Sequence, residues 1–199
     1  MSRLLQFVLV AALAAVVGHL ATIHALPSVI MSVAMSRISE AAVETAERRL
    51  AEGSADRLDL YRAVADRGGV NVAIAALRAD HTQRFVVRSS ADLLYSACVF
   101  DLSKGPLRVT APLAGGYASI SGFAANTDNF FVLDDRRSDG ERLSAVLHRP
   151  GEPTPKSVEG VGVASPTEKG VVLVRYLIED ERRMADVLAR QYEIACDPL

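Results

Sequence analysis

Asp92, Tyr95, Asp101 and Arg175 are the residues whose types and surroundings best suit a binding or acid–base site. Asp92 and Tyr95 stand three residues apart at the start of an apolar, strand-like run, and Asp101 closes that run. A carboxylate beside a phenol can hold a polar ligand or move a proton. The same pair also suits a structural role, which residue type alone favours. Asp before a strand bonds its own turn backbone, and Tyr packs its ring while the hydroxyl finds a partner. Arg175 lies inside VVLVRYLI, where a buried guanidinium requires a carboxylate or a bound anion. Asp92 or Asp101 is the expected partner. An Arg–Asp pair lining a pocket is the sharpest site expectation, and these four residues are the expected ligand-binding set.

Other constellations carry less. Asn126, Asp128 and Asn129 offer oxygens that suit Ca²⁺, but the glycine and distal glutamate of an EF-hand loop are missing. An Asn/Asp turn before Phe130 is expected instead. Ser96, Ser103, Ser119 and Ser121 offer hydroxyls, and His81 and His148 offer bases. No G-x-S-x-G elbow is present, so a serine hydrolase has no support. Neither a P-loop nor a G-x-G-x-x-G fingerprint follows any strand-like run. No catalytic residue, metal ligand or cofactor is assigned. Asp134 to Arg137 reads as a solvated charge cluster, where ion pairs contribute little. With 22 Lys+Arg against 24 Asp+Glu, the net charge is −2. No basic stripe interleaved with aromatics appears, and nucleic-acid binding is not expected.

The elements that must position these side chains begin with a membrane segment. Between Leu4 and Leu26 there is no formal charge; Arg3 precedes the run and Arg37 is the next charge. A bilayer core requires about 20 apolar residues in a helix, which residues 4–26 supply as a lipid contact. Pro27 marks the expected exit. A lone Arg3 before the run keeps the N-terminus in the cytoplasm and places the rest in the periplasm. A cleaved signal peptide is the rival reading. Its apolar region would be shorter, about 7–15 residues, and Ile23 is bulky where a cleavage site needs a small residue. Both readings export the remainder. His19 and His24 lie about 140° apart around a helix and share no face, which disfavours a paired role.

Ile38, Ala42, Ala46 and Leu50 recur every four residues, so Ser36 to Leu50 reads as a helix. A second helix is expected over 55–66, ended by Gly68-Gly69, and residues 70–77 fit helix or strand equally. Strands are expected over 84–88, 93–101, 107–111, 117–124, 130–133, 142–148 and 171–178, the last central to a sheet. A closing helix is expected over 179–196, where Met184, Val187, Leu188 and Gln191 share a face. Cys98 and Cys196 are the two cysteines. Export would permit a bridge, and the apolar setting of Cys98 suits a buried free thiol, so the sequence leaves both open.

One stretch resembles a known family. Ser90-Ala91-Asp92-Leu93-Leu94-Tyr95-Ser96, followed by Asp101-Leu102-Ser103-Lys104-Gly105-Pro106, is similar to the D-x-L-Y-S … D-L-x-x-G-P core of a bacterial envelope family catalogued as domain-of-unknown-function family 1254. Tyr117-Ala118-Ser119-Ile120, Asn126 to Phe130, Ser165-Pro166-Thr167 and Val174-Arg175-Tyr176 continue the likeness. The resemblance implies a β-rich, jelly-roll-like exported domain that works with a sister domain, fused or supplied by a neighbouring gene. The chain looks like the short, membrane-anchored version, which implies a separately encoded sister. The family supplies no established catalytic mechanism.

The expected fold is therefore mainly β within an α+β class. It has one N-terminal transmembrane helix, a short helical segment, and an antiparallel jelly-roll-like sandwich with a C-terminal helix. The expected divisions are an anchor (1–27), a helical stalk or linker (28–84) and a β-rich domain (85–199). The expected function is a non-catalytic docking module at the bacterial inner membrane. The alternative is an envelope enzyme or carbohydrate-binding jelly roll whose cleft uses Asp92, Tyr95, Asp101 and Arg175.

Overall fold

The computed structural model describes residues 2–53, 57–75, 90–138, 140–155 and 158–199. The strand expected over 84–88 and His81 lie outside the described residues.

The apolar segment and the helix expected at Ser36 form one continuous helix, α1 (Arg3–Ala51), of 49 residues. At 1.5 Å per residue it is about 74 Å long. Ser2 caps it, its hydroxyl accepting the Leu5 N–H at 3.3 Å. Pro27 sits inside the helix and does not end it. Proline removes one backbone rung, but the helix-forming residues on both sides carry the chain through. The helix is long and apolar enough to cross a membrane, with a window of mean hydropathy 2.2 and no residue of that window buried. From Met31 onward one face of α1 becomes buried, at Met31, Ala42 and Ala46.

Helix α2 (Leu58–Asp66) packs its Val64 with Val72 against Ala42 and Ala46 of α1. Gly68 and Gly69 take left-handed φ of 60° and 73° and stop α2 where the sequence predicts. The strands are β1 (Ile74–Ala75), β2 (Leu93–Asp101), β3 (Leu107–Pro112), β4 (Ala118–Ala124), β5 (Asn129–Asp134), β6 (Arg142–His148), β7 (Val161–Ala164), β8 (Lys169–Leu177) and β9 (Ala195–Pro198). They form a five-stranded sheet, β1-β2-β8-β4-β5, and a four-stranded sheet, β7-β6-β3-β9. The fold is α+β with two largely antiparallel sheets; β6 and β7 pair in parallel. β8 lies in the middle of the first sheet, as its continuous β-branched run predicts.

Alternation sets the core. Leu94, Cys98 and Phe100 of β2, Ile120 of β4, and Val172, Val174 and Tyr176 of β8 point inward against Leu107, Val109, Leu143 and Leu147 of the second sheet. A disulfide and a hydrogen bond cross between the layers. Cys98 of β2 and Cys196 of β9 are joined as a disulfide, with Cα atoms 6.5 Å apart. The Tyr176 hydroxyl donates to the Pro112 carbonyl at 2.7 Å.

The C-terminal helix is shorter than the sequence pattern suggests. A 3-10 turn at Glu181–Arg183 leads into α3 (Met184–Gln191), and Cys196 belongs to β9. Pairing of β9 with β3 and the disulfide hold this end extended, overriding a local helical pattern. Within α1, Met31, Met35 and Ile38 meet Val99, Val171, Phe123 and Leu173 of the first sheet, while Ala42 and Ala46 pack with Val64 and Val72.

Candidate functional site

Odd-numbered residues of β2, β4 and β8 point away from the core, onto the outer face of the first sheet. Helix α1 crosses that face over Val99 and Val171. It leaves a polar row on one side and a groove on the other.

The polar row is a consequence of register. Tyr95 pairs with Arg175, Arg175 with Ser119, and Ser119 with Asp134, so four side chains line up across β2, β8, β4 and β5. Arg175 Nη2 donates to Ser121 Oγ at 2.7 Å, and the Tyr95 hydroxyl accepts the Ser90 N–H at 2.9 Å. Among the described residues, the buried Arg175 Nε, Ser119 Oγ and Asp134 Oδ1 have no hydrogen-bond partner. Buried polar atoms of this kind are costly unless water or another molecule satisfies them.

The four residues expected to share a pocket are thus divided. Tyr95 and Arg175 are cross-strand neighbours. Asp101 lies six residues further along β2, about 20 Å away at strand rise. Its register partner is Lys169, whose ammonium sits 3.0 Å from the carboxylate. Asp92 is exposed at the strand's start and works through its backbone, its carbonyl accepting Ile178 N–H at 2.8 Å. The expected Arg175–Asp pair is replaced by Arg175–Ser121, because alternation puts serines opposite Arg175 on β4. No cleft lined by all four is built by these strands. Ser119, Ser121 and Asp134 were available to sequence reading as the polar half of an alternating pattern.

The remaining candidates settle into structure. Asn126 Nδ2 donates to Asp128 Oδ2 at 2.6 Å, and Asp128 N–H to Asn126 Oδ1 at 3.2 Å, within the β4–β5 turn. His148 Nδ1 lies 3.0 Å from the Arg149 carbonyl and Nε2 3.2 Å from Thr154 Oγ1, so the ring is engaged on the second sheet. Ser96 accepts from Gln191 at 3.2 Å. Among the described residues no group of three His, Cys, Asp or Glu can hold a metal ion.

The groove runs between α1 and the edge of the first sheet and encloses about 650 Å³. Val70 and Val99 line its sheet side next to Phe100, whose ring points into the core, and Ser32, Ser36 and Val43 form the helix side. Glu40, Glu44 and Glu47 stand along the helix rim, all exposed. Asp101 and Lys169 close the opposite rim. Burial raises the Asp101 carboxyl's pKa, but bonds from Ser103 and the Lys169 ammonium outweigh it and hold the group below its ordinary value. Asn71 fixes this rim. Its side-chain amide donates to the Asp101 carbonyl at 2.9 Å, and its Oδ1 accepts the Asp101 N–H at 2.8 Å.

Taken together, the chain is a two-sheet sandwich carrying an apolar N-terminal helix that also docks on its outer face. Residues 70–198 match the family described as "Protein of unknown function (DUF1254)", and the chain belongs to that family. The match starts well before residue 85, in keeping with β1 and the Val70–Val99 bridge being part of the first sheet. Two solved structures are similar. The VPA0106 protein from Vibrio parahaemolyticus aligns at TM-score 0.51 and 11% identity, over 86% of this chain and 38% of that one. An uncharacterised protein from Burkholderia cenocepacia aligns at TM-score 0.40 and 12% identity, over 58% of this chain and 33% of that one. The chain therefore spans well under half the length of either. No curated protein matches it.

Proposed function

We propose that this protein is a single-pass, membrane-anchored docking module whose β domain faces the periplasm. It receives a separately encoded sister-domain protein in the groove beside α1. The groove is the observation that carries this reading. A largely apolar floor with a charged rim, open to solvent, is the form a polypeptide binding surface takes.

The anchor supports it. Residues 4–26 bury nothing against the body, and Leu4, Phe7 and Val10 are 74%, 73% and 67% exposed. So much apolar surface favours lipid over water by about 25 cal/mol per Å². Pro27 to Met31 separates lipid from sheet contact by only about 6 Å of helix rise. The domain would therefore sit at the bilayer surface, where a tether raises the local concentration of any co-anchored partner.

Site-specific crosslinking tests the reading. A photoreactive residue at Ser36, in the groove, should give a discrete adduct in native membranes, identified by mass spectrometry as the sister-domain chain. The same residue at Thr45, which does not line the groove, should not. Equal labelling from both positions, or none from Ser36, would remove the docking assignment.

A further inference from the structure

The path of α1 across the first sheet fixes which edge of the sandwich meets the bilayer. Backbone register puts Val70, Val99, Val171, Phe123 and Asn129 in one row that crosses β2, β8, β4 and β5. Met31, Met35 and Ile38 pack with the valines and Phe123 of that row, so α1 runs across the strands. Ser39 lies against Gly69, beside Val70, and pins the helix at one end of the row. Further on, Ala42 and Ala46 meet Val64 and Val72, on the β1 side. Toward its N-terminus α1 therefore leaves the sheet at the opposite edge, over β5.

Two lengths agree on where it leaves. The row from Val70 to Asn129 spans four inter-strand steps, about 19 Å. The helix from Ser39 back to Leu26 also rises about 19 Å. Leu26 is the last residue of the lipid-contacting run, so β5 stands at the level where α1 emerges from the hydrocarbon. The headgroup layer is about 5–7 Å deep on each side of the core. β5 lies within it, parallel to the bilayer plane.

The side chains of that edge suit a phospholipid surface. Val132 of β5 is 42% exposed, and Val161 of β7 is 51% exposed. β7 is the edge of the second sheet on the same side, since β6 packs against β4 and β5. Directly after β5, Arg136 and Arg137 are exposed, and among the described residues no carboxylate pairs with either. The neighbouring acids turn toward the sheet: Asp134 Oδ1 is buried, and Asp135 Oδ1 accepts the Ala118 N–H at 3.4 Å. Arg137 Nη1 donates to the Val132 carbonyl at 3.5 Å, which lays its guanidinium along β5. Guanidinium groups at this height match phosphate oxygens in geometry and charge.

We infer that the β5 edge rests on the bilayer and that Arg136 and Arg137 bind the phosphates of anionic phospholipids. This inference rests on the membrane anchor of the proposed function, not on its docking partner, and names the face on which the domain sits.

The test uses the full chain in vesicles of phosphatidylcholine and phosphatidylglycerol. A fluorophore is attached in turn through Ile23→Cys, Val132→Cys or Asp66→Cys, the native cysteines being paired with each other. The quencher is a nitroxide at the glycerol end of an acyl chain of either lipid. Ile23 reports the anchor. Asp66 ends α2 near the Gly69–Ser39 contact, about 19 Å further along α1 than β5. Label at Val132 should be quenched strongly and label at Asp66 hardly at all. Quenching at Val132 should favour labelled phosphatidylglycerol about fivefold, which corresponds to about 1 kcal/mol for one cation at the surface. Arg136→Gln with Arg137→Gln should abolish that preference. Equal quenching at Val132 and Asp66, or a wild type without the preference, would overturn the inference. A protein covering β5 would also overturn it, by leaving Val132 unquenched while Ile23 is quenched; the anchor then stands. Absence of quenching at Ile23 would remove the anchor, and this inference with it.

Discussion

Gly69 lies against the backbone of Ser39, so close that a Cβ added at Gly69 would sit 2.6 Å from the Ser39 carbonyl oxygen. Only glycine fits there, and it also holds a φ of 73°. This contact seats α1 on the turn that forms one side of the groove.

Replacing Gly69 with Ala should therefore cost about 2 kcal/mol, from the left-handed backbone and the clash together. Hydrogen exchange should show the 36–50 part of α1 losing protection while β8 keeps it. Uniform protection in the variant would mean that α1 does not depend on this contact.

The disulfide should stabilise the sandwich strongly, because it closes a loop of 98 residues between the two layers. In the chain-entropy model such a loop contributes on the order of 4–5 kcal/mol. Cys98→Ala with Cys196→Ala should show that loss in denaturant unfolding. Alkylation of the unfolded, unreduced wild type should label no cysteine.

Much of this frame was legible in the sequence, and what was not has a physical cause. β-prone runs bounded by turn residues revealed β2, β3, β4, β5, β6 and β8 to within about two residues, the usual uncertainty of an element's ends. Strands β7 and β9 escaped because four residues, Val161–Ala164 and Ala195–Pro198, are too few to show a period. The split of Asp92, Tyr95, Asp101 and Arg175 escaped because their grouping depends on cross-strand register, which only β8's position between β2 and β4 determines. The groove depends on where an amphipathic helix lands, and helical spacing gives its buried stripe but not its docking site.

Tyr176→Phe should cost about 1–2 kcal/mol, by leaving the buried Pro112 carbonyl without its 2.7 Å donor. Burial of the phenol pushes its ionisation upward, so the bond persists through the alkaline range. Arg175→Met should cost less than about 1 kcal/mol, since its bond to Ser121 is exchanged for apolar contact and a buried Nε with no partner among the described residues is removed. A larger loss would show that the polar row is satisfied by an ordered partner.

Asp101 should make stability pH-dependent. Its folded-state ionisation is lowered by Ser103 and Lys169 against the opposing effect of burial. A group with a depressed folded value contributes stability fully above its unfolded value, near 4, and loses it as pH falls through the folded one. Wild type should therefore exceed Asp101→Asn in stability at pH 6, with the gap closing below about pH 4. A gap independent of pH would place the effect in the backbone bonds to Asn71.

The proposed function requires that α1 hold the β domain to the outer surface of the inner membrane. Protease treatment of spheroplasts carrying a C-terminal tag, followed by an alkaline carbonate wash, tests that directly. The tag should be digested while the N-terminal fragment stays with the membrane pellet. A tag protected until the membrane is broken, or an intact chain released by the wash, would contradict it.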